Sequence, residues 1–156
     1  MNDAARSSAG GVFVDAAVLI YSEDGADPAK QQVALAWLDV LWQRGIGCVS
    51  TQVLNEFYLT ATRKLSPPMP AGDARAEVRR YELWQPWQID HATVESAWAL
   101  ESRFGLHFDD CLVVAAAQHL GCRYLLSDHL VHEQQYGGVQ VIDPFKTGVE
   151  LLAILR

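Results

Sequence analysis

Several acidic side chains in this sequence stand where solubility does not explain them. Asp15 interrupts an apolar run, Val12-Phe-Val-Asp15 followed by Val18-Leu-Ile-Tyr21. A carboxylate in such surroundings must be paired or must ligate something. Glu56 lies in Val53-Leu-Asn-Glu56-Phe57, Asp109 and Asp110 lead into Cys111-Leu-Val-Val-Ala-Ala-Ala117, and Asp128 follows Tyr124-Leu-Leu-Ser127. Singly, Asp109 reads as a helix cap, Asp128 as a loop acid and Glu56 as a solvated helix residue. Together they make a different demand. Two carboxylates about 4 Å apart repel by roughly 4 kcal/mol at an effective dielectric near 20, and a group of them takes up protons unless a cation sits between. Hard oxygen donors with few histidines suit Mg²⁺ or Mn²⁺ better than zinc. Such an ion binds a phosphate oxygen, lowers the pKa of a water and stabilises charge on a leaving oxygen, which are the requirements of phosphodiester hydrolysis.

The elements that would position these acids follow from pattern. The β-branched start at Val12 predicts a buried parallel strand ending near Asp15. Asp27-Pro28 opens a helix with a capping Asp and a Pro at its first position; Val33, Ala34, Trp37, Leu38 and Leu41 form its buried stripe and Arg44-Gly45 end it. Gly47 to Ser50 reads as a strand, and Gln52 to Leu65 as a helix burying Val53, Leu54, Phe57, Tyr58 and Ala61. Ser66-Pro-Pro-Met-Pro70 breaks that helix, and another runs from Ala71 to Trp84. Trp87 to Asp90 is read as a short strand, Ala92 to Phe104 as a helix capped by Gly105, and Asp109 to Leu120 as an Ala-rich helix closed by Gly121. Tyr124 to Ser127 and Val139 to Ile142 complete the strands. Alternating strands and helices predict an α/β fold with a mainly parallel sheet, whose functional crevice lies beyond the carboxyl ends of the strands. Asp15, Glu56, the Asp109-Asp110 pair and Asp128 all fall near that edge.

The bulk properties fit one folded domain. The chain has 156 residues, 50% of them hydrophobic and 20% charged, enough for a real core. Residues 1–11 read as a flexible leader without the apolar stretch of a secretory signal, and residues 12–156 as a single domain. No apolar run reaches the roughly 18–20 residues of a membrane span. Three cysteines, Cys48, Cys111 and Cys122, have no CxxC spacing and are expected to be buried, reduced thiols of a cytoplasmic protein. A net charge of −7 counts against a general nucleic-acid binder, although acids gathered around a bound cation give the same balance. Arg63, Lys64, Arg75, Arg79 and Arg80 form one local basic stretch, most simply a solvated helix face. Of the tryptophans, Trp37 and Trp98 sit on apolar stripes and are expected in the core. His129 and His132 have a spacing open to a ligand pair, although loop histidines are the commoner case. A Leu- and Ile-rich tail, Gly148 to Arg156, is available to pack on a neighbour.

On these residues the sequence resembles the PIN-domain family, and most closely the VapC-type toxins of bacterial toxin–antitoxin pairs. The segments that carry the resemblance are Val12-Phe-Val-Asp15 with Val18 to Tyr21, Val53 to Phe57, Phe108-Asp-Asp110 to Ala117, and Tyr124 to Ser127 running on to Ile142-Asp-Pro-Phe145; they occur in family order, and the third is the most distinctive. The resemblance implies a Rossmann-like three-layer α/β/α sandwich and a Mg²⁺- or Mn²⁺-dependent ribonuclease, often a homodimer, restrained by a cognate antitoxin that inserts into the acidic pocket. It implies Asp15 and Asp110 as metal ligands, Glu56 as the residue that positions the metal or its water, and a fourth site acid at Asp128. Spacing alone leaves Asp109 and Asp110 equivalent; the family register selects Asp110.

Two departures from the family pattern bear on activity. Where relatives usually carry Thr or Ser and then Asn after the first acid, this chain has Ala16-Ala17, removing groups that would hold the carboxylate or its water; such losses typically cost about 10–100-fold in metal affinity or activity. Where they often carry Ser-Glu-Asp, it has Ser127-Asp128-His129: either the acid has moved to Asp128, or His129 replaces it. Two functions are therefore open, an active endoribonuclease toxin and a catalytically degenerate domain that binds RNA or a partner protein. A haloacid-dehalogenase-like phosphatase needs a second Asp at position 17, which is Ala. The acidic pair and switch lysine of a receiver domain are not evident, and there is no P-loop or dinucleotide-binding glycine signature.

Overall fold

The computed structural model describes residues 10–154; most of the expected leader lies outside the described residues. Strand β1, Val12–Val14, is wholly buried. The strand stops before Asp15, as expected, and the apolar residues after it form a helix, α1, Ala16–Glu23, with Asp15 as its N-cap accepting a hydrogen bond from the Ala16 amide at 2.8 Å. A short continuous apolar run has no periodicity that separates buried strand from buried helix, and here the capping carboxylate decides. Helix α2, Pro28–Arg44, is capped by Asp27 and ended by Gly45 in the left-handed region, as its sequence signals predict.

Strand β2, Gly47–Cys48, leads into helix α3, Thr51–Arg63, capped by Ser50. Helix α4, Ala71–Tyr81, runs on as a 3₁₀ turn, Glu82–Trp84. The expected strand over Trp87 to Asp90 reduces to one parallel bridge between Ser50 and Trp87, because Asp90 turns away to cap helix α5, His91–Phe104, through the Thr93 amide at 2.9 Å. Helix α6, Phe108–His119, precedes β3, Tyr124–Leu126. A two-residue strand that the sequence pattern does not predict, β4 at Gln135–Tyr136, turns back through Gly137-Gly138 into β5, Val139–Ile142.

The sheet order is β2-β1-β3-β5-β4, parallel except for the antiparallel β4 edge. Phe13 is paired with Cys48 on one side and Leu125 on the other, and Leu126 with Ile142, so β1, β2, β3 and β5 end at one edge of the sheet. Helices flank the sheet in a three-layer α/β/α sandwich: α6 packs on β3 and β5, α2 on β2, and α5 on α6. The core combines strand residues such as Phe13 and Leu125 with Trp37, Leu41, Phe57 and the Ala115–Ala117 face of α6. Cys48, Cys111 and Cys122 are buried and none is in a disulfide. Among the described residues no helix is long and apolar enough to cross a membrane.

One expectation about an apolar residue changes. Trp98 is 46% exposed; the buried stripe of α5 is Thr93, Ala97 and Leu100, one position off, and the Trp98 ring meets only the edge of His91. Part of the tail packs on its own chain: Leu152 is 1% exposed, and the Arg44 guanidinium donates to its carbonyl at 2.6 Å.

At Gly47 an added Cβ would lie inside contact distance of the Trp84 ring, which belongs to a group of aromatics with Trp42 and Tyr81. Gly47→Ala is expected to lower stability by about 1–3 kcal/mol through overpacking; a urea midpoint unchanged from wild type would show that the ring relocates freely.

Candidate acidic site

Each strand end delivers one component. β1 stops at Asp15, which is 3% exposed. Its Oδ1 is used by the Ala16 amide, while Oδ2 is buried without a hydrogen bond. Burial raises the Asp15 carboxyl above the ordinary carboxylate value, and the Asp110 charge adds to this while His129 opposes it. Asp110 stands in the first turn of α6, where the amide ends of the helix favour negative charge. β3 ends in Ser127, whose hydroxyl oxygen accepts from the His129 and Leu130 amides at 3.4 Å, turning the chain back over the pocket.

That turn places the His129 ring between the acids. Nε2 lies 2.7 Å from Asp110 Oδ1 and Nδ1 lies 3.6 Å from Asp15 Oδ2, with Ser127 Oγ 3.3 Å from Nδ1. The Asp110 hydrogen bond, in the range of charge-assisted bonds, is the main reason that the imidazole holds its proton up to about 9; partial burial acts against it, and Asp15 and Asp128 reinforce it. Glu56, on α3, faces the same negative charge: burial first, then Asp15, Asp109 and Asp110, raise its carboxyl above the usual value. The structure thus brings Asp15, Asp110, Glu56 and His129 to one place.

The other expected residues meet further partners. The Asp109 side chain is exposed, and its carbonyl accepts from Gln52 Nε2 at 3.0 Å, tying α6 to α3; between the two neighbouring aspartates it is Asp110 that meets the histidine. Asp128 faces both ways: its Oδ1 lies 3.9 Å from His129 Nδ1, while its Oδ2 accepts from the Tyr21 hydroxyl at 2.9 Å, with Lys30 Nζ 3.4 Å from the same hydroxyl. Nothing in the sequence pattern singles out Tyr21 and Lys30, because their meeting with Asp128 depends on Ala16 to Glu23 being helical. His132 does not pair with His129: its Nδ1 accepts from the Asp143 amide at 3.0 Å.

These residues, as arranged, do not fit a divalent ion. Among the described residues no three His, Cys, Asp or Glu side chains are grouped to hold a metal. A protonated imidazole carries hydrogens on both nitrogens and has no lone pair for a metal, yet it fills the ground between Asp15 and Asp110 and supplies the positive charge there. Asp15 Oδ2 accepts no hydrogen bond and faces the imidazole Nδ1 at 3.6 Å.

With this geometry in view, the comparisons give the class. The family model of the PIN domain matches residues 12–132, and the chain belongs to the PIN-domain family. Among solved structures, the fold is similar to that of VapC20 from Mycobacterium tuberculosis, described as a sarcin-ricin loop cleaving toxin, with a TM-score of 0.59 and 21% identity over 74% of this chain and 87% of that one. No curated protein matches the chain.

The imidazolium makes stability depend on pH. The His129 pKa is raised in the fold to about 9 from an unfolded value near 6.5. Its contribution is therefore complete below about pH 6.5 and is lost as pH rises through about 9. The thermal midpoint of the wild type is expected to fall across that window more steeply than that of His129→Gln; parallel curves would remove the ion pair from the account.

Proposed function

We propose that this chain is a PIN domain acting as an RNA- or protein-binding module, its acidic pocket neutralised from within, so that it engages RNA without cutting it efficiently as folded. The observation that carries this reading is the His129 ring at 2.7 Å from Asp110 and 3.6 Å from Asp15, standing where the family resemblance calls for Mg²⁺ or Mn²⁺. Ala16-Ala17, whose side chains offer no hydroxyl or amide beside Asp15, point the same way. RNA, a cognate antitoxin that reaches into the pocket, and a second copy of the chain are the partners this reading calls for.

A second reading is favoured by the buried, unbonded Oδ2 of Asp15 and by membership of a nuclease family. It makes the chain a metal-dependent endoribonuclease, the toxin of a type II toxin–antitoxin module, with Asp15 and Asp110 as ligands and Glu56 and Asp128 beside them. For this reading the His129 ring must first leave the pocket.

One experiment separates them. Total RNA is incubated with Mn²⁺ and wild type, His129→Asp, and Asp15→Asn combined with His129→Asp, while Mn²⁺ affinity is followed by calorimetry. The binding-module reading expects wild type to shift RNA without cutting it. It expects His129→Asp to bind Mn²⁺ at least about 10-fold more tightly and to gain cleavage that the double variant loses. Mn²⁺-dependent cleavage by wild type, abolished in Asp15→Asn and Asp110→Asn, would replace this reading with the second.

A further inference from the structure

Away from the pocket, α3 and α4 enclose a groove of about 210 Å³ lined by Leu54, Asn55, Tyr58, Arg75, Val78 and Arg79. Its cations stand close together on one helix. Arg80 is matched by Glu77 at 3.0 Å and stacks on Trp42, but no described carboxylate lies within ion-pair distance of Arg75 or Arg79. The Arg75 guanidinium only donates to the Tyr58 hydroxyl at 3.3 Å and lies 5.9 Å from its ring centre. Arg75 and Arg79 are four residues apart on one helix, a spacing at which like charges repel by a few tenths of a kcal/mol. In a chain of net charge −7, two exposed arginines left side by side along a groove match an anion from outside. Arg63 is a further cation in the last turn of α3, and α3 carries both the groove residues Leu54, Asn55 and Tyr58 and the acid Glu56.

We propose that this α3–α4 groove carries the backbone of single-stranded RNA toward the pocket, with Arg75 and Arg79 on successive phosphates and Tyr58 and Asn55 offering an aromatic face and an amide to a base. This rests on the RNA-binding reading above. A cationic track with an interleaved aromatic is the ordinary means of holding a single strand without sequence preference, and a track of unpaired arginines lets a strand approach an acidic pocket that would otherwise repel its phosphates.

The test is fluorescence anisotropy of a labelled oligouridine of about twelve nucleotides, titrated with the full chain over a range of salt. Arg75→Gln combined with Arg79→Gln is expected to weaken binding at least about 10-fold and to flatten the log K against log salt slope by about 1.4, near 0.7 for each phosphate of a single strand that is no longer neutralised. Arg79→Gln alone, which breaks no ion pair within the fold, is expected to flatten it by about 0.7. Arg103→Gln, elsewhere on the surface, is expected to change neither. If wild type binds the oligonucleotide and the double variant binds it equally well with the same slope, the groove assignment fails while the RNA-binding reading stands. If an oligoglutamate peptide binds through Arg75 and Arg79 and RNA does not, the occupant is an acidic protein segment and the proposal is overturned. If no RNA binds even at low salt, the groove assignment falls together with the RNA-binding reading, and only the protein-binding one is left.

Discussion

The burial of one carboxylate governs this site. Asp15 sits at the end of a strand with no exposed residue, between Val14 and a helix that starts at once, and only one of its oxygens is hydrogen-bonded. A charge so placed needs a positive partner, and the fold supplies His129 through the turn that follows β3. The parallel pairing of β1 with β3 brings those two chain ends side by side. Asp110 then holds the imidazole proton most strongly, with Asp15 and Asp128 adding to it, and among the described residues no group of His, Cys, Asp or Glu is open to a metal.

Much of the scaffold was legible because its boundaries are written in chemistry that acts locally. Asp27-Pro28, Ser50 and Gly105 begin or end helices where their side chains or backbone freedom require. What was not legible depended on packing. Nothing in Ala16 to Tyr21 distinguishes a buried helix from a buried strand, and Trp98 misses the buried stripe of α5 by one residue, a distinction set by how α5 seats on α6 rather than by its own pattern. The two-residue β4 is too short to have a periodicity at all.

The acids themselves illustrate the same boundary. That Asp15, Glu56 and one of the Asp109-Asp110 pair approach one edge follows from the rule that strand ends gather function in parallel sheets. Which of the neighbouring aspartates turns inward, and whether position 128 or 129 meets it, depends on the direction of a single turn. Ser127 fixes that turn by bonding the two amides beyond it. The charge of the pocket was readable in the sequence; its neutralisation by an internal cation was not.

The hydrogen bond between Tyr21 and Asp128 gives the first helix a lever on this arrangement. Asp128 immediately precedes the histidine, so the hydroxyl of α1 anchors the peptide from which the imidazole hangs, and Lys30 of α2 steadies the hydroxyl in turn. Helices α1 and α2 are thus tied to the turn that carries the imidazole through three side chains, Lys30, Tyr21 and Asp128.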